Sequence, residues 1–452
     1  MTINRALKPR PKSRIDFIIP KIHYGYVDNI EYYHVERNNF PIVNMIALLD
    51  FGYRLDEDGR RGLTYLASKM LLKGAGDYNS LELNEKFQCL GLNVSNGISE
   101  DNNVIYVQSL KENFEKAFSL ISDVIYKPHL KEVDFLPEQK NLISVLQHAQ
   151  KDPNSIFYNA SNKVFGKNTS IEQPVYGYVD NVENISIENI RNFYEKVINK
   201  SKLTLFFTGN ITRSEIEVYI RKYIGQRTSS LLKPETFYNN NPLSKELFYI
   251  DLAGKPQTII GLAQKVDHYK KLDKFSLEIA INILGGSFTS RLNSNLREDK
   301  GFTYGISAYL NYHLDVGLIG IATSVDAENS INAVEEIYEE IDKLCNNISE
   351  EEIDFAKDNI INTFPMSFVT YHSINTALKN AVILGYPLNY WELFREEIRK
   401  RTAEQIRDTV RNTFSTKNTS AILIGDKENF NFNNTNEFFS TIRELSINGD
   451  IV

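Results

Sequence analysis

Residues Ile187 to Asn210 read Ile-Glu-Asn-Ile-Arg-Asn-Phe-Tyr-Glu-Lys-Val-Ile-Asn-Lys-Ser-Lys-Leu-Thr-Leu-Phe-Phe-Thr-Gly-Asn. They align without gaps to Ala403 to Asp426, at an offset of 216. Both windows carry the same residue at Glu188/Glu404, Ile190/Ile406, Arg191/Arg407 and Gly209/Gly425. In each, a helical period gives way to a short apolar strand, and glycine ends it. A second match lies elsewhere. Leu63, Leu66, Ala67 and Met70 recur as Leu277, Ala280, Ile281 and Leu284, at an offset of 214. Both sets have the i, i+3, i+4, i+7 spacing of a buried helix face. Two nearly equal offsets in separate places predict a divergent duplication, with two homologous halves of about 220 residues.

The predicted organisation follows from that repeat. Residues 1–30 form an N-terminal arm, 31–228 the first half, 229–244 a linker and 245–452 the second half. The linker is marked by a shift in composition, with Pro234, Pro242 and the run Asn239-Asn240-Asn241. Strand patterns and helix patterns both occur in each half. The expected fold class is α+β, with mixed or antiparallel sheets packed against helices. Helices are expected over Phe114 to Ile125, Leu136 to Gln150 and Ile187 to Val197. Pro153 is expected to close the second of them.

Composition limits the function classes. The chain has 452 residues, 42% of them hydrophobic, so sizeable cores are available. A net charge of −7 offers no basic surplus to neutralise phosphates, so no nucleic-acid partner is expected. The one basic concentration is Lys8, Arg10, Lys12 and Arg14 in the arm. Cys89 and Cys345 are the only cysteines, too few for a disulfide framework or a zinc knuckle. No apolar leader segment and no run long enough to span a membrane are visible, and the expected compartment is the cytoplasm, with the periplasm as the alternative.

Ser290 to Tyr309 is the stretch richest in candidate chemistry. It reads as a helix end, a turn at Asp299-Lys300-Gly301, and an outgoing strand. Period-2 alternation would put Phe302, Tyr304, Ile306 and Ala308 on one face of that strand. Arg297 on the last helical turn and Tyr304 on the strand would bring a guanidinium and a phenol together. Such a donor pair suits a peptide carbonyl or a developing oxyanion. The spacing is equally compatible with a helix-end cation and a half-buried strand aromatic. Other motifs are missing. No phosphate loop ending in Gly-Lys-Ser/Thr occurs, and neither Ser287 nor Ser307 sits in Gly-x-Ser-x-Gly. None of the seven histidines is three or four residues from another, so no helix carries a paired-histidine ligand set.

The duplication, the order of elements and several local strings together resemble the pitrilysin/insulinase family of zinc peptidases, which includes the mitochondrial processing peptidase. The strings are Gly62-Leu63, Leu71-Leu72-Lys73-Gly74, Gln173-Pro174-Val175-Tyr176-Gly177 and Leu284-Gly285-Gly286, together with Arg297 and Tyr304. The resemblance runs from about Glu31 to Asp426 and implies two halves forming a bowl, half of a clamshell. Active members carry His-x-x-Glu-His on the first-half helix, where two histidines bind zinc and the glutamate activates water. A later glutamate completes the ligands. Here those positions hold Tyr65, Ser68, Lys69 and Val145, so no metal is expected in this chain.

The family's Arg-x6-Tyr spacing is met by Arg297 and Tyr304. Family members also occur as split enzymes, in which an inactive subunit supplies that pair to a zinc-bearing homologue. The resemblance therefore implies a noncatalytic subunit of a heterodimeric zinc peptidase. Zinc would reside in the partner, peptide would be the substrate, and Arg297 and Tyr304 would bind its carbonyl. Only Gly285-Gly286 stands where the mitochondrial noncatalytic subunit has a long glycine-rich loop, which favours the bacterial version. The alternatives are a structural or assembly subunit, as core proteins of the respiratory bc1 complex are in this family, and a peptide-binding module without chemistry.

Overall fold

The computed structural model of the chain describes residues 17–226, 229–230, 238–268, 270–432 and 438–452. The basic cluster of the arm and linker residues 231–237 lie outside the described residues.

Two six-stranded sheets dominate the molecule. The first contains β1 (His23–Val27), β2 (Ile30–Glu36), β3 (Ile42–Leu49), β4 (Asn93–Ile98), β5 (Asn103–Leu110) and β6 (Leu203–Gly209). Its order is β1-β2-β6-β3-β5-β4. The second contains β7 (Glu246–Asp251), β8 (Gln257–Val266), β9 (Thr303–Tyr312), β10 (Gly317–Asp326), β11 (Thr419–Gly425) and β12 (Thr441–Glu444). Its order is β12-β7-β11-β8-β10-β9. Five strands of each sheet therefore follow the same path, and in each the first of the five pairs in parallel with the second while the rest are antiparallel. The register repeats too. Phe207 faces Met45, and Leu423, its match at the sequence offset, faces Ile260. The sixth strand breaks the symmetry. In the first sheet it is β1, antiparallel to β2, drawn from residues the sequence assigns to the arm. In the second it is β12, parallel to β7. The α+β class and the two-half architecture stand as expected.

Period-2 alternation divides each sheet between two cores. From the first, Val43, Met45, Ala47, Leu205 and Phe207 face helices of their own half. Ile46, Leu48 and Phe206 face the other way. That second face is covered by the opposite half of the chain: the segment Phe364–Phe368 and the helix Tyr371–Ile383 supply Phe364, Phe368, Ile374 and Leu378. The arrangement is reciprocal. The helix Pro153–Phe165 lays Ile156, Ala160 and Phe165 on Phe248, Ile250, Ile422 and Ile424 of the second sheet. Gly261 allows the close approach, since a Cβ there would stand 2.5 Å from the Phe157 ring. With both faces covered, all seven positions of β6 and of β11 are buried, which explains their unbroken apolar runs.

Pro153 is the main correction to the sequence reading. It opens a helix rather than merely ending one. Proline fits the first helical turn, where its missing N–H costs nothing. Asp152 is the N-cap and accepts the Ser155 N–H at 2.9 Å. The preceding helix, Glu132–Ala149, also starts one turn earlier than expected and carries Pro137 inside it.

Polar contacts fasten the halves where they cross. Asn375 on the exchanged helix is fully buried. Its amide donates to the backbone and side-chain oxygens of Asn44 at 2.9 Å each, and its oxygen accepts the Thr208 hydroxyl at 2.6 Å. A charged knot joins the halves elsewhere. Arg54 donates to Asp101 at 2.7 and 3.0 Å and to Asp315 at 2.7 Å. Asp315 also accepts the Ser170 N–H and hydroxyl at 2.7 and 2.8 Å. Burial alone would raise the Asp315 carboxyl. The Arg54 and Ser170 donors outweigh it and hold that group below the usual carboxylate range. Among the described residues, no helix is long and apolar enough to cross a membrane.

Candidate functional site

The helix Leu63–Met70 carries three of the positions singled out in the sequence. Its start is fixed by Asp56, a residue the sequence reading passed over. One carboxylate oxygen accepts the Gly62 N–H at 2.8 Å, and the other accepts the Thr64 N–H at 2.8 Å. Leu63, Leu66, Ala67 and Met70 are buried, so the next face of the helix presents Tyr65 and Lys69, both half-buried. Tyr65 meets Tyr176 edge-on, with ring centroids 4.8 Å apart. Burial, with lesser effects from Tyr176 and Glu138, pushes the Tyr65 phenol up to about 12. Ser68 is buried and committed. Its hydroxyl accepts from Asn96 at 3.0 Å and from Asn103. Lys69 donates to Asn96 Oδ1 at 3.3 Å and lies over the Tyr65 ring at 5.4 Å.

These residues do not fit a zinc ion. Tyr65 is a neutral phenol at physiological pH, the Ser68 hydroxyl is held by two amides, and Lys69 brings a positive charge. Zinc in proteins takes thiolate, imidazole or carboxylate ligands. Val145, on the helix Glu132–Ala149, offers no donor atom and is 43% exposed. Among the described residues, no group of three or more His, Cys, Asp or Glu side chains is placed to hold a metal.

The second candidate site is the turn between the helical segment Asn293–Asp299 and β9. Lys300 N–H bonds to Asn295 O at 3.1 Å and Phe302 N–H to Leu296 O at 2.8 Å, closing wide helical turns. Gly301 makes the reversal at φ +66°, a conformation open to glycine. Asn293, buried beneath, clamps helix to strand. Its amide donates to Ile306 O at 2.8 Å and its oxygen accepts the Ile306 N–H at 3.3 Å. Arg291 ties the same segment to the helix Glu350–Thr363, with Nε and Nη2 reaching Glu352 at 2.6 and 2.9 Å. Arg297 stacks its guanidinium on exposed Phe288, 4.3 Å from the ring centre.

Tyr304 departs from the expected alternation. Ile306 and Ala308 are buried, whereas Tyr304 is 94% exposed and shares no face with them. The cause is a β-bulge. Ile306 pairs with Thr323 and Thr303 with Val325, so Tyr304 and Gly305 together oppose Ser324 alone. The extra residue reverses the phase of the strand and turns Tyr304 to solvent. Thr303 and Thr323 hold the bulge open. The Thr303 hydroxyl accepts the Gly305 N–H at 3.1 Å, and the Thr323 hydroxyl donates to Gly305 O at 3.0 Å. The two hydroxyls meet at 2.8 Å. Neither threonine was singled out in the sequence, where nothing distinguishes them from ordinary strand residues. Thr303→Val should therefore remove the hydroxyl that satisfies Gly305, at a cost of about 1–3 kcal/mol. Denaturant unfolding measures it, and a stability unchanged from wild type would mean that the bulge does not need that hydroxyl.

Comparison with known proteins settles the family. The profile described as "Insulinase (Peptidase family M16)" matches residues 35–179, and that of "Peptidase M16 inactive domain" matches 184–360. The chain belongs to peptidase family M16. An uncharacterized zinc protease of Rickettsia bellii is 24% identical over 85% of this M16 chain and 93% of its own length. The beta subunit of the Bos taurus mitochondrial-processing peptidase is 17% identical, over 80% of this chain and 75% of its own. Among solved structures, the M16 inactive domain of Pseudomonas fluorescens superposes with a TM-score of 0.80 at 19% identity, covering 90% of this chain and 98% of that one. The fold is that of half an M16 clamshell. Within the family this is a noncatalytic member, in keeping with the descriptions of the profile matched over residues 184–360 and of the Pseudomonas fluorescens structure as an inactive domain.

Proposed function

We propose that this chain is the noncatalytic subunit of a heterodimeric zinc peptidase. A homologous partner with an intact His-x-x-Glu-His would bind the zinc. Peptide would lie as an extended strand against a sheet edge. Arg297 and Tyr304 would reach the scissile carbonyl and donate hydrogen bonds to the oxygen as negative charge develops. The reading rests on one contrast. The first-half helix has no metal donor left. The hairpin of the second half keeps the guanidinium and the phenol, and spends a buried asparagine and two threonine hydroxyls on its shape. The relative named as a processing-peptidase subunit supports a role inside an assembly.

Reconstitution tests it. The chain alone should hydrolyse no peptide and bind no stoichiometric zinc. Mixed with the zinc-motif homologue from the same organism, it should form a one-to-one complex with a kcat well above that of the homologue alone. A homologue fully active without this chain would reject the reading and leave the structural subunit in its place.

A further inference from the structure

We propose that the position vacated by the metal ligands has become a carboxylate subsite, in which Lys69 and Tyr65 bind the C-terminal carboxylate of a peptide. The inference rests on the reading above only in requiring that this chain handles peptides.

Lys69 and Tyr65 are four residues apart and therefore lie on the same face of the helix Leu63–Met70. Both are donors. The Tyr65 phenol stays protonated at physiological pH, and among the described residues its hydroxyl has no hydrogen-bond partner. The Lys69 ammonium reaches one neutral oxygen, Asn96 Oδ1 at 3.3 Å, and among the described residues no carboxylate lies within ion-pair distance of it. The carboxylate whose charge reaches Tyr65 is Glu138, and it is already taken by Lys73 at 2.6 Å. A half-buried cation without a counter-ion, beside a half-buried phenol without an acceptor, is matched by one anionic group with two acceptor oxygens.

The surroundings indicate how that group arrives. Asn96, which holds Lys69, lies in the middle of β4. β4 is the terminal strand of the first sheet, paired on one side with β5. Its open edge can add an extended peptide through main-chain hydrogen bonds. Ser68 fixes the helix to the same strand, because Asn96 Nδ2 donates to the Ser68 carbonyl at 2.9 Å as well as to its hydroxyl. A peptide on that edge would end against a rigid pair of donors rather than a metal-bound water. The cation that excludes zinc would then hold the end of the chain.

Fluorescence anisotropy with a labelled, otherwise uncharged peptide tests the subsite without any partner. The free acid should bind this chain about tenfold more tightly than its C-terminal amide, the size of one charge-assisted hydrogen bond. Lys69→Met should abolish the preference, whereas Lys69→Arg should keep it. A third peptide, amidated but ending in glutamate, separates a main-chain carboxylate from a side-chain one; if it binds as well as the free acid, the assignment to the C-terminus is overturned. Equal binding of acid and amide by the wild type overturns the subsite and leaves peptide binding intact. Binding of none of the three overturns the subsite and peptide handling together. A preference that survives Lys69→Met places the cation elsewhere and also overturns it.

Discussion

Arg297→Ala, in a complex with the zinc-bearing partner, should lower turnover by about 10²–10³-fold, the loss typical of one donor aimed at an oxyanion. Tyr304→Phe should fall in the same range, because it deletes only the hydroxyl. The loss should appear in kcat with KM little changed, since the contact strengthens as charge develops on the oxygen. Stability should barely move. Tyr304 is almost wholly in solvent and Arg297 rests on an exposed ring, and such positions usually stay within about 0.5 kcal/mol. Arg297→Lys keeps the charge but loses the planar fork, so it should recover only part of the rate. Complex formation, followed by size-exclusion chromatography, should be unaffected. Full turnover in both variants, with the complex intact, would remove the pair from the reaction.

The largest effect on stability is expected at Asp315. Its side chain is 5% exposed and meets Arg54 and Ser170, so Asp315→Ala leaves one guanidinium N–H and the two Ser170 donors without their acceptor, while Asp101 still holds the rest of Arg54. A buried donor left unsatisfied costs about 1–3 kcal/mol. The midpoint of denaturant unfolding should fall accordingly. Arg54→Met combined with Asp315→Leu should recover little of the loss, because removing the guanidinium takes the Arg54 donors away from buried Asp101. A single variant as stable as the wild type would show that water reaches the knot and screens it.

Much of this architecture was readable in the sequence, because the duplication carried it. A core helix face keeps its apolar residues through divergence, so Leu63, Leu66, Ala67 and Met70 could be matched to Leu277, Ala280, Ile281 and Leu284, and all eight are buried. The structure repeats one order of five strands in both halves, as a duplication requires. What stayed hidden depends on long-range geometry. Ile156 and Ala160 sit at helical spacing, but nothing local says that they cover the sheet of the other half. Asp152-Pro153 reads equally as a stop and as a cap with its first helical residue, and only the continuing helix decides. The bulge at Tyr304 was invisible for a similar reason. Alternation predicts a face only while strand and partner advance together, and Thr303 gives no sign that its hydroxyl will hold an extra residue. That Tyr65, Ser68 and Lys69 make poor zinc ligands was visible at once, since their chemistry is written in residue type. That Asn96 and Asn103 now occupy Ser68 was not.

The exchange of helices has a consequence for how small such a protein can be. Cut between its repeats, this chain would leave Ile46, Leu48 and Phe206 on one fragment, and Ile250, Ile422 and Ile424 on the other, facing water. Neither fragment holds the helix that would shelter its own surface, because each has given it to its sibling. The minimal folding unit is therefore the doubled gene product, or two copies of a single repeat that trade the same helix. The two halves of this chain cannot part without baring both surfaces, so its waist is laced shut.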